Sequence, residues 1–229
     1  MKIDILDEVE STNEYIKRYL ASGEDHVVCA NRQTGGKGTK GRSFLSSEGG
    51  VYLTALNFYR GFFAKDAFLI MARAATAVCK TAEHFGLNPE IKWPNDVYLH
   101  GKKLAGILVE NILDGDKLKA SIVGIGLNVS NDLGDLREIA ISLSQAAGRS
   151  ILVEEAREQL IQNLKSAHTF DDYLARVRFL GKEVCVMEAD ETYRAKAIKV
   201  CSDGRLKVER AGEEVLLSAA EISLKLDVE

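Results

Sequence analysis

The sequence predicts a mixed α/β domain over residues 1–178, followed by a small β-barrel over residues 179–229. Three observations carry that expectation. Helix-patterned and strand-patterned runs are mixed through the first part of the chain. A hairpin signal, Asp114-Gly115, joins two long apolar strands near its middle. After Gly181 the texture changes to short strands separated by Asp203-Gly204 and Ala211-Gly212.

Taken in order, "ESTNEYIKRYLASG" reads as a helix, with Ser11 and Glu14 spaced as a capping box and Gly23 as its stop. "HVVCA" is a short strand leading into a glycine-rich loop, and "GGVYLTALNFY" is a strand leaving it. From Ala67 to Phe85 the apolar residues Met71, Ala74, Ala75, Val78, Ala82 and Phe85 keep to one helical face, and Gly86 ends the run. "EIKWPNDVYL" is a strand, a turn and a strand. "KKLAGILVENIL" and "KASIVGIGLNVS" are the two arms of the hairpin. Residues 135–147 and 153–167 read as amphipathic helices, and a further helical piece runs to about Leu180. The last unit holds "KEVCVME", "TYRAKAIKVC", "RLKVERA" and "EVLLSAAEISLKL" as short strands.

Composition narrows the function classes. Apolar residues make up 46% of the 229, enough for a core, and the net charge of −4 argues against bulk nucleic-acid binding. No apolar run is long enough to span a bilayer, and the N-terminus lacks the basic start and apolar stretch of a signal peptide. The cysteines at 29, 79, 185 and 201 form no C-x-x-C pair, and the four histidines show no ligand spacing. The expectation is a cytoplasmic protein, free of metal except for one arriving with a nucleotide.

The most informative stretch is "QTGGKGTKGRSF", residues 33–44. Between Gly35 and Arg42 it packs four glycines and three cations into eight positions. Gly36, Gly38 and Gly41 spell G-x-G-x-x-G, and Gly36 and Gly41 with Arg42-Ser43 approach a Walker A loop. Both of those need a helix directly after the loop to hold phosphate. "LSSEGGVYLTALNF" reads instead as loop and strand, so dinucleotide binding and the P-loop are rejected. A kinase-type loop fails for want of H-R-D and D-F-G partners. What remains is a loop between strands whose amides, with Lys37, Lys40 and Arg42, can surround a phosphate or adenylate; the bland reading is a solvated turn. Nothing in the loop is expected to pack, so it should be mobile when empty.

Three companions accompany it. In "KWPNDVYLHGKKLAGILVE", Lys92, Asn95 and Asp96 surround a Trp-Pro turn, Lys103 opens an apolar strand, and Gly106 permits close backbone approach. Asp96 could hold magnesium or orient a cation. In "GIGLNV", Gly124 and Gly126 leave one strand face bare beside Asn128, which suits a flat ligand or an overlying helix. In "ESTN", Ser11, Thr12 and Asn13 gather small polar groups at a helix start.

This order of motifs over nearly the whole chain resembles the biotin–protein ligases. The resemblance implies a class II aminoacyl-tRNA-synthetase-like catalytic domain with an SH3-like C-terminal barrel. It implies joining of biotin to ATP, with Mg²⁺, to give biotinyl-5′-adenylate and pyrophosphate, and transfer of the biotinyl group to a lysine of a biotin carboxyl carrier domain. Ser11, Thr12 and Gln33 match positions near the biotin head; Asn13, Gly35, Gly36 and Lys37 fall on the same side. Gly106, Gly124 and Gly126 match the pocket floor. Lys103 matches the lysine between the biotin carboxylate and the α-phosphate. The nucleotide side would comprise Lys37, Gly38, Thr39, Lys40, Gly41, Arg42, Lys92, Asn95, Asp96, Lys103 and Asn128, with Phe44 covering the adenine and Asp96 holding the metal. Lys103, Arg42 and Lys37 would act in catalysis. Where the family loop commonly reads G-R-G-R-x-G-R, this chain has lysine at 37 and threonine at 39.

The first motif begins at residue 10, so the resemblance is to the ligase-only class without a DNA-binding domain. The expected partners are the carrier domain, no DNA and no membrane, in a monomer or homodimer. A lipoate or octanoyl ligase or transferase of the same fold is one rival. A transferase with a covalent intermediate would need a positioned cysteine or lysine, and a lipoate pocket would need a less polar lining. A non-catalytic adenylate-binding sensor is another, which the retained Lys103 argues against.

Overall fold

A computed structural model of the chain describes residues 2–188, 191–219 and 223–225. Seven strands form one mixed sheet: β1 (Lys2–Val9), β2 (His26–Gln33), β3 (Gly50–Phe58), β4 (Glu90–Lys92), β5 (Asp96–Leu99), β6 (Lys102–Asp114) and β7 (Lys117–Asn128). Their spatial order is β1-β2-β3-β7-β6-β5-β4. β1 and β2 run parallel, and the other neighbours are antiparallel. The β6–β7 hairpin closes at Gly115 with φ +61°, as Asp114-Gly115 predicts.

The two faces of this sheet are covered differently. On one, α2 (Phe68–His84) and α4 (Val153–Lys165) pack over Val27, Leu53, Ala55, Val123 and Ile125 in the main core. The predicted face of α2 is the buried one: Ala74, Ala75, Val78 and Ala82 are inaccessible or nearly so. On the other, the short helix α1 (Thr12–Tyr15) and the 3₁₀ turns of residues 16–22 lay Ile16 over Val28, Leu56, Ala120 and Ile122. This second cover is small, and it leaves the ends of β3, β5, β6 and β7 open beside it.

The C-terminal unit is a five-stranded antiparallel sheet. It comprises β8 (Glu183–Met187), β9 (Thr192–Val200), β10 (Leu206–Arg210), β11 (Glu213–Leu217) and β12 (Ser223–Lys225), in the order β11-β10-β9-β8-β12. Gly204 and Gly212 turn it, at φ +88° and +85°. Part of the predicted strand "EVLLSAAEISLKL", residues 220–222 and 226, lies outside the described residues. Trp93 joins the two sheets: its buried indole Nε1 donates to the Gly204 carbonyl at 2.8 Å. A side chain at Gly204 would meet the Phe68 ring at 2.3 Å, so the units approach through a residue without one.

Three expectations are corrected. Residues 10–23 hold only one short α-helix, and its capping box does not form: Ser11 makes no side-chain cap bond, and the Glu14 carboxylate is engaged by Lys17 and Lys37. Residues 135–147 are not one helix. A 3₁₀ turn spans Gly134–Glu138, and α3 (Leu143–Ala147) starts afresh at a complete Ser142–Gln145 capping box. Between them, Ile139 and Ile141 are claimed by the backbone of Lys103, whose N–H donates to Ile139 O at 2.8 Å and whose carbonyl accepts from Ile141 N at 3.0 Å. The predicted helical piece before Leu180 is α5 (Phe170–Leu174) followed by turns.

Candidate active site

The row Tyr52–Gly126–Gly106–Asp96 runs straight across β3, β7, β6 and β5. Residues paired across neighbouring strands share a face, so the two central glycines make a trough between a tyrosine and a carboxylate. Two residues along, Thr54 pairs with Gly124 and Gly124 with Leu108, which extends the trough towards α1. A cavity of about 470 Å³, counting its open mouth, lies there. It is lined by Ser11, Thr12, Asn13, Gln33, Lys37, Gly38, Thr39, Phe44, Asn95, Asp96, Lys103, Gly106, Ile107, Leu108, Gly124, Ile125 and Gly126. The four sequence motifs therefore meet in one place.

The two ends of the cavity differ in chemistry. The α1 end is neutral, buried and closely hydrogen-bonded. Gln33 Oε1 accepts from the Thr12 N–H at 2.8 Å and from its hydroxyl at 3.0 Å, while Gln33 Nε2 donates to Ser46 Oγ at 2.9 Å. Thr54 Oγ1 lies 2.8 Å from Thr12 Oγ1 and 2.7 Å from Asn13 Oδ1. Asn13 Nδ2 donates to Glu110 Oε1 at 3.0 Å. Ser46, Thr54 and Glu110 lie behind the lining and bond to it, and the sequence reading missed them. A threonine or serine inside an apolar run reads as strand propensity, and nothing local marks it as part of a polar chain.

The other end is charged. Lys103 Nζ forms an ion pair with Asp96 Oδ1 at 2.8 Å and stands 5.8 Å from the Phe44 ring centroid. Asp96 Oδ1 is buried and makes no hydrogen bond, so the Lys103 ammonium is what compensates its charge. Lys92 contacts Tyr98, with Nζ 3.3 Å from the hydroxyl and 4.9 Å from the ring centroid. Burial pushes the Lys92 ammonium below the usual lysine range; Asp96 opposes that shift, while Lys103 and Arg42 add to it. Lys92 thus feels two other cations against one carboxylate, a local surplus of positive charge suited to an anion. Among the described residues no group of three or more His, Cys, Asp or Glu could hold a metal alone.

The glycine loop is more structured than its composition suggests. Gln33 N bonds to Ser46 O, Phe44 N to Gly36 O and Gly38 N to Arg42 O, giving a narrow hairpin with Thr39–Gly41 at its tip. Gly36 is buried, and an added Cβ would lie 2.5 Å from Phe44 O. The expectation that nothing in the loop packs therefore fails at its base; the exposed residues Lys40, Gly41 and Arg42 form its tip. Lys37 reaches back to Glu14 at 2.6 Å. No helix follows the loop, only β3, in keeping with the rejection of a P-loop.

The trough glycines are not bare. A Cβ at Gly124 would come within 2.0 Å of Asn13 Oδ1, and one at Gly126 within 2.4 Å of Phe44 Cε1. Of the two readings of "GIGLNV", the overlying helix is met at Gly124, which the start of α1 covers; at Gly126 the cover is an aromatic ring from the loop. Gly35, Gly36, Lys40, Gly41, Arg42, Lys92 and Asn128 do not line the cavity. Asn128 lies behind it, buried, with its Nδ2 3.3 Å from Ile141 O and its Oδ1 accepting from Asn131. Asn95 lines the cavity while its Nδ2 bonds Ile107 O at 2.9 Å, clamping the Trp-Pro turn to β6.

Comparison with known proteins agrees with this geometry. Residues 6–128 match the model of the biotin/lipoate A/B protein ligase family. The bifunctional ligase/repressor BirA of Bacillus subtilis is 37% identical over 153 residues, covering 65% of this chain and 47% of that protein. The chain thus spans about half the length of the first curated relatives it matches. The biotin–[acetyl-CoA-carboxylase] ligase of Mycobacterium tuberculosis is 27% identical, over 96% of this chain and 88% of its own. Among solved structures, the biotin protein ligase of Aquifex aeolicus, in complex with biotin and ATP, superposes with a TM-score of 0.75. It is 26% identical and 98% of each chain is covered. With more than half of its length matched, the chain belongs to the biotin/lipoate A/B protein ligase family.

Proposed function

We propose that this protein is a biotin–protein ligase. It activates biotin with MgATP and passes the biotinyl group to a lysine of a biotin carboxyl carrier domain. The observation that carries the reading is one cavity with a neutral hydrogen-bonding end at Thr12, Asn13 and Gln33 and a cationic end at Lys103. A ureido ring is uncharged and needs both donors and acceptors, which hydroxyls and amides supply. The opposite end of the same substrate is a carboxylate, which must meet the α-phosphate of ATP.

In the first step a biotin carboxylate oxygen attacks the α-phosphorus and pyrophosphate leaves with the bonding pair. Lys103, already turned into the cavity, opposes the repulsion of the two anions and stabilises the charge that builds between them. In the second step the carrier lysine's amine attacks the acyl carbon, AMP departs, and the amine loses a proton. Mg²⁺ would be held by Asp96 together with phosphate oxygens, a normal ligand set for this ion, and would neutralise phosphate charge. Asp96 lines the cavity, which supports that fit, and Lys103 would give up this carboxylate to the ion. Arg42, Lys37 and Lys40 on the loop are the residues we assign to phosphate, and Phe44 to the adenine face.

The proposal extends to finer points. The large sheet is read as the class II synthetase-like catalytic domain, residues 1–178, and residues 179–229 as an SH3-like barrel. The protein is read as cytoplasmic, monomeric or homodimeric, without specific DNA binding by these residues, whose net charge is −4. Among the described residues, no helix is long and apolar enough to cross a membrane.

Lipoate is the competing substrate, since the family match alone does not separate the two acids. The polar end favours biotin. A covalent cysteine route is disfavoured, since no cysteine lines the cavity and burial pushes the Cys29 and Cys79 thiols up to about 12. The test is mass spectrometry of a carrier domain incubated with enzyme, MgATP and either acid. Gain of one biotinyl group supports the reading; gain of lipoyl alone, or of neither, overturns it.

A further inference from the structure

Glu110 sits on β6, outside the cavity, and nothing above gives it a role in the reaction. Its carboxylate bridges two groups. Oε1 accepts from Asn13 Nδ2 at 3.0 Å, and Oε2 pairs with Lys17 Nζ at 3.0 Å. The first contact matters because an asparagine amide can be turned end for end at little steric cost. An ionised carboxylate can only accept hydrogen bonds, so it must face the NH₂ end. That leaves Asn13 Oδ1, which can only accept, aimed at the Thr54 hydroxyl 2.7 Å away.

The consequence travels down the chain of polar groups. Thr54 has one hydroxyl proton, and Asn13 Oδ1 takes it, although Thr12 Oγ1 is almost as near at 2.8 Å. Thr12 keeps its own proton for Gln33 Oε1 or for Thr54. Gln33, with its oxygen committed to Thr12, must present Nε2 to Ser46, and the Ser46 hydroxyl ends the sequence on the Phe44 carbonyl at 3.0 Å. The carboxylate at one terminus and the main-chain carbonyl at the other both accept only. The carboxylate sets Asn13 and, through it, the Thr54 hydroxyl; the Thr12 N–H sets Gln33, and the Thr12 hydroxyl keeps two acceptors.

We infer that Glu110 is a positioning residue for biotin recognition: by accepting from Asn13 it fixes which end of that amide faces the Thr54 hydroxyl at the closed end of the cavity. The inference rests on the proposed ligase reading. It makes Glu110 specific to the ureido end and indifferent to the nucleotide. The Lys17 pair is separate, half exposed, and contributes little to this role.

The experiment measures biotin Kd by calorimetry, and KM for biotin and for ATP in adenylate formation, for Glu110→Ala, Glu110→Gln, Lys17→Met and Asn13→Ala. Glutamine keeps an acceptor for Asn13 and loses only the charge. Glu110→Ala is expected to weaken biotin about tenfold, the scale of one misdirected buried hydrogen bond, with KM for ATP within about twofold of the parent. Glu110→Gln and Lys17→Met should stay within about threefold for both substrates. Adding Glu110→Ala to Asn13→Ala should cause no further loss, since the amide it orients is gone. Should alanine cost the fold, Glu110→Met keeps the apolar stem and must show the same biotin-selective loss. Unchanged biotin affinity in a folded Glu110→Ala or Glu110→Met protein overturns the inference. So does equal loss for both substrates, or a glutamine variant as poor as alanine. A parent enzyme that makes no adenylate from biotin instead removes the ligase reading itself, which is seen before any variant is compared.

Discussion

Gly124→Ala is the sharpest test of how this site is built. The new methyl carbon would stand 2.0 Å from Asn13 Oδ1, 2.8 Å from its Cγ and 3.0 Å from its Nδ2. The oxygen must retreat by more than about 1 Å to reach ordinary contact. It cannot do so freely, because Asn13 is 5% exposed and held by Thr54 at 2.7 Å and Glu110 at 3.0 Å. Breaking both bonds costs about 1 kcal/mol for the neutral one and roughly 2 for the one to a carboxylate. Replacing glycine in a strand returns about 0.5–1 kcal/mol. The net loss is roughly 2–2.5 kcal/mol, or about 4–10 °C in Tm for a chain of this size. Gly126→Ala is the control. Its methyl would meet Phe44 Cε1 at 2.4 Å. That ring is half-buried and sits at the end of the loop, so it can swing away at a stability cost within about 1 kcal/mol. Thermal melts with biotin calorimetry decide the matter. Gly124→Ala should melt early and bind biotin poorly; Gly126→Ala should melt near the parent and lose nucleotide affinity. A Gly124→Ala protein that melts within 2 °C (roughly 1 kcal/mol) of the parent and binds biotin normally would refute the reasoning.

Other outcomes follow from the same geometry. Lys103→Ala should retain the fold and lose adenylate formation by roughly 3 kcal/mol in the barrier, more than a hundredfold; near-normal pyrophosphate–ATP exchange would sink that role. Thr39 lines the cavity and could offer a ligand only a neutral hydrogen bond where the resemblance implies an arginine, so Thr39→Arg should slow biotinyl-adenylate release roughly fivefold. An unchanged off-rate would assign retention to Lys40 or the loop amides. Asp4 accepts from Tyr19 at 2.6 Å and faces His26 at 3.0 Å; Tyr19 first, then His26, hold its carboxyl below 3.8. Because its folded pKa is depressed, its stabilisation is complete above about 3.8 and disappears as pH falls through the folded value. The Tm deficit of Asp4→Asn should therefore shrink towards zero in acid, and a deficit independent of pH would count against the pair.

Much of this was legible from local pattern. The buried face of α2, the Asp114-Gly115 hairpin and the all-β end each follow from spacing or turn chemistry over a few residues. The four motifs were readable as a set, and the fold brings them to one trough. What escaped the sequence were contacts between distant segments. The Ser11–Glu14 box looked sound until Lys37, 23 residues on, took the glutamate. The run 135–147 looked helical, but Lys103 draws Ile139 and Ile141 into an extended bridge beside β6. Thr54 and Ser46 carry the neutral end, yet each looks like an ordinary strand or loop residue. Asn128 had the right neighbours in sequence and turned out to lie behind the cavity.

The same distinction shows how one trough would serve the two chemistries of the proposed reaction. Both glycine positions are covered by side chains of this chain, but the covers are held in opposite ways. Asn13 is buried, bonded on both sides, and tied through Glu110 and Lys17 to α1 and β6. It is preorganised, so an uncharged ring meets groups already aimed and the ordering cost is met in folding. Phe44 lies on a half-exposed ring, Lys103 is held by Asp96, and Lys37 is held by Glu14. In the proposed reaction Lys103 and Lys37 would be released by exchanging one carboxylate for a phosphate or carboxyl of the substrates. The neutral end is fixed because hydrogen bonds without charge select only when their geometry is set. The charged end can rearrange because its cations are paired with protein carboxylates until an anion competes for them. Trp93, Asn95 and Asp96 show how tightly the two demands are combined. Within four residues the chain locks the two sheets together, clamps β6, and delivers the carboxylate on which Lys103 waits.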